Sequence, residues 1–421
     1  MRSGRVRSVS VLALACAASF GQVFDPSRAA SADPSGAGHS PGPVNVAREA
    51  GIHEITRTWS ANVGDYDGNG RQDFFLVRHD PQAIWYGGTL PRPSLYRNAY
   101  GTFVEHTASQ FTKNDKHDCA WGDVQPDGLL DLFCAVGLDA RSKNELWIQR
   151  TDRTFVERAT AYGLTANTAG EYRTATFIYA DRDMRPDIYV TRYTGNDDVR
   201  KPNELWLSRS DGTYGRDRSF GLDKPIGVEF DSNPCLQAVD FNRDGWQDLM
   251  VCGAAKLHLY RNDSGRGFTD VTSEKGVSGF WKDAELVRLT GDGLRDLVLL
   301  GPKVVRVRKG ISGGKFSPML ERSIVGGQGV VTGDFDGNDK RDIYVLSGCP
   351  NSAPNSDQAD RILLNRGGGV FDSQAIPALP SGGGCGQATE QIDYDDDGKD
   401  DFVVLNGRKH KEGPVQLFTY R

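Results

Sequence analysis

One nine-residue segment, Asp65-Tyr66-Asp67-Gly68-Asn69-Gly70-Arg71-Gln72-Asp73, sets side-chain oxygens at alternate positions of a turn. Oxygens spaced in this way converge on a common centre, an arrangement Ca²⁺ accepts flexibly with about six to eight ligands and Mg²⁺, with its stricter octahedron, accepts poorly. Glycine at the sixth position permits the turn. The segment returns from Asp240 to Asp248 and from Asp393 to Asp401. Close relatives run from Asp123 to Asp131, with Gln125 third, and from Asp334 to Asp342, with Asp339 in place of the glycine. Two copies are degraded: Tyr179 to Asp187, and Arg288 to Asp296, where Arg288 is expected to replace a cation. An EF-hand is excluded, because Leu76, Val251 and Val404 stand where its twelfth-position glutamate belongs and β-formers follow instead of a helix. Crowded carboxylates without a counter-ion repel one another, so a bound metal is the expected state of the complete copies.

The elements that position these loops repeat with them. Each loop runs into an apolar stretch such as Phe74-Phe75-Leu76-Val77, of the kind a strand covered on both faces shows. An aromatic strand follows, such as Ser94-Leu95-Tyr96-Arg97-Asn98 or Leu257-His258-Leu259-Tyr260-Arg261-Asn262, and then a Gly-rich turn and a short strand such as Thr102-Phe103-Val104-Glu105. Seven loop starts, at 65, 123, 179, 240, 288, 334 and 393, leave room for one four-stranded blade each. The expectation is an all-β, seven-bladed β-propeller spanning 44–421. The chain ends on a third strand, Val415-Gln416-Leu417-Phe418, while Val44 to Ile52 resembles the missing fourth. Pairing the two closes the ring and removes exposed edges. Trp147 and Trp206 share the strand position of Tyr96 and Tyr260, and read as blade packing.

Composition agrees with this reading. Fifty glycines against four methionines suit a turn-dense β protein, and a net charge of −6 with acids clustered in loops excludes a general nucleic-acid binder. Residues 1–32 read as a secretory signal, with Arg2, Arg5 and Arg7 before the apolar stretch Val9 to Phe20 and cleavage near Ala32. Lipid anchoring at Cys16 ranks second. Residues 33–43 form a polar Gly/Pro/Ser linker, and no later stretch is long enough for a membrane span. A secreted monomer is expected.

Export also makes pairing the expected state of the remaining six cysteines. Cys119 with Cys134, and Cys235 with Cys252, sit at one common offset from the first and ninth aspartates of their loops, which suggests cross-strand disulfides. Cys349 and Cys385 both fall opposite the acidic loops and form the third expected pair. Gly310-Ile311-Ser312-Gly313-Gly314 spells a nucleophile elbow, but it falls in a hairpin turn with no helix after it.

The loop motif between apolar strands, followed by L-Y-x-N and G-x-F, resembles the FG-GAP/VCBS repeat family, with integrin α-subunit relatives that fold as seven-bladed propellers. The resemblance covers nearly all of 44–421. It implies calcium ligation through the side chains at positions one, three, five and nine and the carbonyl at seven. Five sets are complete: Asp65, Asp67, Asn69 and Asp73; Asp123, Gln125, Asp127 and Asp131; Asp240, Asn242, Asp244 and Asp248; Asp334, Asp336, Asn338 and Asp342; Asp393, Asp395, Asp397 and Asp401. Up to five calcium ions are therefore expected, as staples for the hairpins. The family spans adhesion proteins, lectins and polysaccharide lyases, so fold does not settle function.

Loops after the second strands, on the face opposite the acidic loops, differ most in length and are the expected ligand face. Arg78, His79, Trp85, Arg192, Tyr193, Arg408 and His410 lie there. A binding module for an extracellular glycan or protein is the first expectation. The alternative is a lyase for an acidic polysaccharide, in which Arg78 or Arg192 neutralises a carboxylate and His79 or Tyr193 moves a proton.

Overall fold

The computed structural model describes residues 42–79, 91–106, 110–137, 143–164, 172–192, 202–226, 235–253, 256–349, 358–376, 385–407 and 412–421. These form seven antiparallel blades, six of four strands and one of four strands with a further short strand added, and no α-helix. Blade one sets the pattern: β3 (Thr58–Gly64), β4 (Asp73–Arg78), β5 (Ser94–Asn98) and β6 (Phe103–Glu105), each hydrogen-bonded to the next. The first strands of successive blades touch around the ring, and the last of them, β27 (Gly386–Ile392), meets β3. The expected seven-bladed propeller is the fold observed.

Closure follows the expected route. β1 (Val44–Asn45) pairs with β29 (Gly413–Thr419), Val44 opposite Thr419, and supplies the fourth strand of blade seven. β2 (Ile55–Thr56) adds a second contact to β29 before the chain enters blade one.

Second strands are apolar because they are buried on both sides. In β4, Phe74 and Leu76 pack against Val403, Leu405 and Leu417 of blade seven, while Phe75 and Val77 pack against Leu132, Cys134 and Trp147 of blade two. All four β4 side chains are fully buried. The same division gives one apolar layer between every neighbouring pair of blades. No single core exists; the ring is held by layers of side chains between wedges, each favoured by about 25 cal/mol per Å² of apolar surface removed from water. Trp147 and Trp206 are buried in these layers, and their indole N–H groups donate to Glu145 and Glu204 at 2.9 and 3.1 Å.

Candidate metal loops and the opposite face

All seven acidic loops join a first strand to a second strand, which puts them on one face. Their path takes left-handed backbone at the sixth position in all seven copies and at the fourth in blades one, four, five, six and seven. Gly68 and Gly70 take it in blade one, but Met184 and Asp339 hold the sixth position in blades three and six at φ 61°. The first aspartate shapes the turn by accepting from the amides at positions five and six: Asp65 from Asn69 and Gly70 at 3.0 and 2.8 Å, and Asp334 from Asn338 and Asp339 at 2.9 and 2.7 Å.

The ninth aspartate also clamps the backbone. In blades one to six, one of its oxygens accepts from the amide at loop position two and the other from an amide at the end of the third strand, all at 2.7–3.1 Å. The clamp persists at Asp187 and Asp296, in the degraded copies. It therefore ties three strands together whether or not a cation binds. Burial, opposed only partly by those amides, pushes Asp73, Asp131, Asp248, Asp342 and Asp401 up to about 7.

Three acidic sets converge most tightly: Asp65, Asp67 and Asp73; Asp334, Asp336 and Asp342; and Asp393, Asp395 and Asp401 each bring one oxygen apiece within 4.8 Å of the others. In blade six, Asp336 Oδ1 and Asn338 Oδ1 are buried without a hydrogen-bond donor. Such orphaned oxygens are costly unless a cation takes them. The donor set is oxygen only, and so suits a hard ion. Loop carboxylates meet basic side chains in both kinds of copy: Arg185 pairs with Asp183 in blade three and Lys309, not Arg288, reaches Asp292 at 3.2 Å in blade five, while Arg97 pairs with Asp67, Arg366 with Asp336 and Lys399 with Asp397 in complete copies.

Asparagine in the L-Y-x-N strand has a function the motif alone did not reveal. Asn98, Asn262 and Asn365 donate to the carbonyls of Tyr394, Ala180 and Leu289 at 2.8, 3.0 and 3.1 Å, each at the second position of the preceding blade's acidic loop. Gln149 does the same to Tyr66 at 2.9 Å. Signals for both devices were present: the ninth aspartate is kept in all seven copies, and the amide recurs at one strand position.

The three cysteine pairs are disulfides, Cys119–Cys134, Cys235–Cys252 and Cys349–Cys385. Cys119 stands directly opposite Cys134 in the register, and the third bridge ties blade six to blade seven. Such bonds fit an oxidising environment. Among the described residues no helix is long and apolar enough to cross a membrane.

Of the residues expected on the opposite face, Trp85, Tyr193, Arg408 and His410 lie outside the described residues, as do 1–41. Arg78 pairs with Glu54 and bonds Ser94 at 2.6 Å. Arg192 is buried and reaches Glu204 at 3.0 Å, beside Arg216 on the same carboxylate. His79 is buried against Asp115 at 2.5 Å. The structure thus separates Arg78 and His79, neighbours in sequence, into different polar networks. Asp118, Asp283, Glu285 and Glu390, all on first strands, form a further acidic group around the axis; burial and, for Glu390, the other three carboxylates push their pKa values up.

No protein-family model matches the chain, and no curated protein does. Solved structures share its fold. A lectin from Agrocybe aegerita, described as recognising non-reducing terminal N-acetylglucosamine, matches with a TM-score of 0.50 and 17% identity, over 79% of this chain and 89% of the lectin. BBS1N, crystallised in complex with ARL6DN, matches with a TM-score of 0.51 and 12% identity, over 88% of this chain and 94% of its own. At such identities the likeness is one of fold.

Proposed function

We propose that the chain is an exported, calcium-stabilised propeller of the FG-GAP/VCBS type that serves as a binding module for an extracellular glycan or protein. The observation that carries the calcium part is the orphaned, buried oxygen pair of Asp336 and Asn338 beside Asp334 and Asp342. Calcium there would supply positive charge to carboxylates that otherwise repel, and the residues' own part is to hold the hairpin in the ligating turn. Export is supported by three disulfides and by the basic and apolar N-terminal stretch.

The binding part rests on architecture. Acidic loops of similar length occupy one face, whereas the connections on the other vary, from 302–303 in blade five to 79–93 in blade one. Variable loops on a rigid frame are where recognition collects. Lysis is less well supported, since His79 and Arg192 are buried and committed to Asp115 and Glu204. The test is retention of the calcium-loaded chain on immobilised glycans and extracellular proteins, alongside ultraviolet absorbance on acidic polysaccharides. Saturable retention with a flat absorbance trace is expected; growing absorbance from unsaturated uronate would replace binding by lysis.

A further inference from the structure

Away from the acidic loops, two histidines and an aspartate meet between blades one and two. His79 follows β4, Asp115 precedes β7 (Lys116–Gly122), and His117 lies on β7. One ligand atom from each falls within 4.8 Å of the others, and all three side chains are buried, at 6%, 3% and 0% exposure. His79 Nδ1 is 2.5 Å from Asp115 Oδ1, and His117 Nε2 is 3.1 Å from Asp115 Oδ2. That Oδ2 is a buried acceptor with no hydrogen-bond donor.

The backbone is arranged to bring the rings here. The register of blade two shifts between Lys116 and Asp118, so His117 occupies a bulge, a device that re-aims a side chain. Gly137 makes room: a Cβ there would lie 2.2 Å from His117 Cε1. Trp59, in the matching bulge of blade one, packs on both rings at 4.4 and 5.3 Å and walls off the cluster.

His117 faces an acceptor at each nitrogen, the Tyr172 carbonyl 2.6 Å from Nδ1 and the Asp115 carboxylate at Nε2. A neutral ring has one proton and can satisfy only one of them. A second proton would set an imidazolium against the buried Arg173 guanidinium, whose NH1 is 2.7 Å from Nδ1 and 3.0 Å from Nε2. With one proton the ring donates to one of these acceptors and accepts from Arg173 at its other nitrogen; a metal ion would take the place of Arg173, with Nδ1–H donating to Tyr172 O and the bare Nε2 ligating.

We propose that His79, Asp115 and His117 form a binding site for a divalent transition-metal ion, separate from the oxygen-only loops. Two imidazoles and one carboxylate select ions of the zinc type over calcium. Arg173 is the group that must yield, and its charge opposes the ion.

The test uses the purified exported chain, stripped with chelator and reloaded under saturating calcium. Zinc is titrated and counted by elemental analysis, and Co²⁺ is added separately as a spectroscopic probe. Expected results are one zinc per chain, a visible Co²⁺ band of nitrogen and oxygen ligation displaced by zinc, at least about tenfold weaker binding in H79Q and D115N, and tighter binding in R173M. Calcium content should not change. Since the cobalt band is read on the unmodified chain, a variant that fails to fold does not decide the matter. A featureless cobalt spectrum, or zinc retained equally by both ligand variants, overturns the proposal.

Discussion

Asn98 of blade one donates its side-chain N–H to the carbonyl of Tyr394 in blade seven at 2.8 Å, across 296 positions of sequence. The same amide donates to Gln72 O at 3.3 Å, and its oxygen accepts from Gly101 N at 2.9 Å. One side chain therefore locks its own turn and the seam of the ring. Gln72 adds a second stitch by accepting from Asp393 N at 2.7 Å.

Asn98→Ala leaves the buried Tyr394 carbonyl without that donor at the point of closure. The expected cost is about 1–3 kcal/mol, read from the midpoint of denaturant unfolding. An unchanged midpoint would show that water replaces the amide and that the seam is held by its apolar layer alone.

Met184 and Asp339 occupy left-handed backbone at 61° where the other loops carry glycine. Met184→Gly is expected to raise stability by about 1 kcal/mol, since a side chain in this region is strained by roughly that amount. Asp339→Gly should act in the same direction, and thermal melting compares both with the parent.

Within the acidic loops the expected calcium response differs by blade. Asp336→Ala should remove one calcium per chain and shrink the melting shift produced by chelator. Asp183→Ala should change neither, because Tyr179 and Met184 stand where the complete copies carry the first aspartate and, in most, the glycine. Equal calcium loss in both variants would contradict the assignment of blade three as a metal-free copy.

Around the axis, burial raises Asp283 and Glu285 to about 7 and holds Glu390 well above the ordinary carboxylate range. A folded-state pKa above the unfolded value means that the folded chain keeps protons the unfolded chain releases. For Asp283 and Glu285 the stabilisation is full below about pH 4 and is lost as pH rises through about 7, and for Glu390 it is lost in the same direction. Glu390→Gln should therefore raise the melting temperature at pH 8, by about 2 °C, and leave it nearly unchanged at pH 5. An equal shift at both pH values would point to packing instead of charge.

Much of this was legible in the sequence because the chain repeats itself. Seven copies fixed the number of blades, the shared offset of Cys119–Cys134 and Cys235–Cys252 disclosed two disulfides, and the termini disclosed closure through Val44 and Thr419. Residues outside the repeat were harder to read. His117 gives no local signal, since its neighbours His79 and Arg173 arrive from other blades and its direction depends on a bulge. His79 and Arg192 looked like exposed loop groups because they end apolar strands; three-dimensional partners, Asp115 and Glu204, draw them inward. The ninth aspartate's clamp is not legible in the repeat, since periodicity reports that a residue recurs and not which amides it meets.

We propose that the five complete loops hold calcium and that the ring depends on it. The direct measurement is calcium content by elemental analysis after exhaustive dialysis, with thermal melting before and after chelation. The expected result is several bound ions per chain and a melting temperature that falls on chelation and returns on adding calcium back. No bound calcium and superimposable melting curves would contradict it.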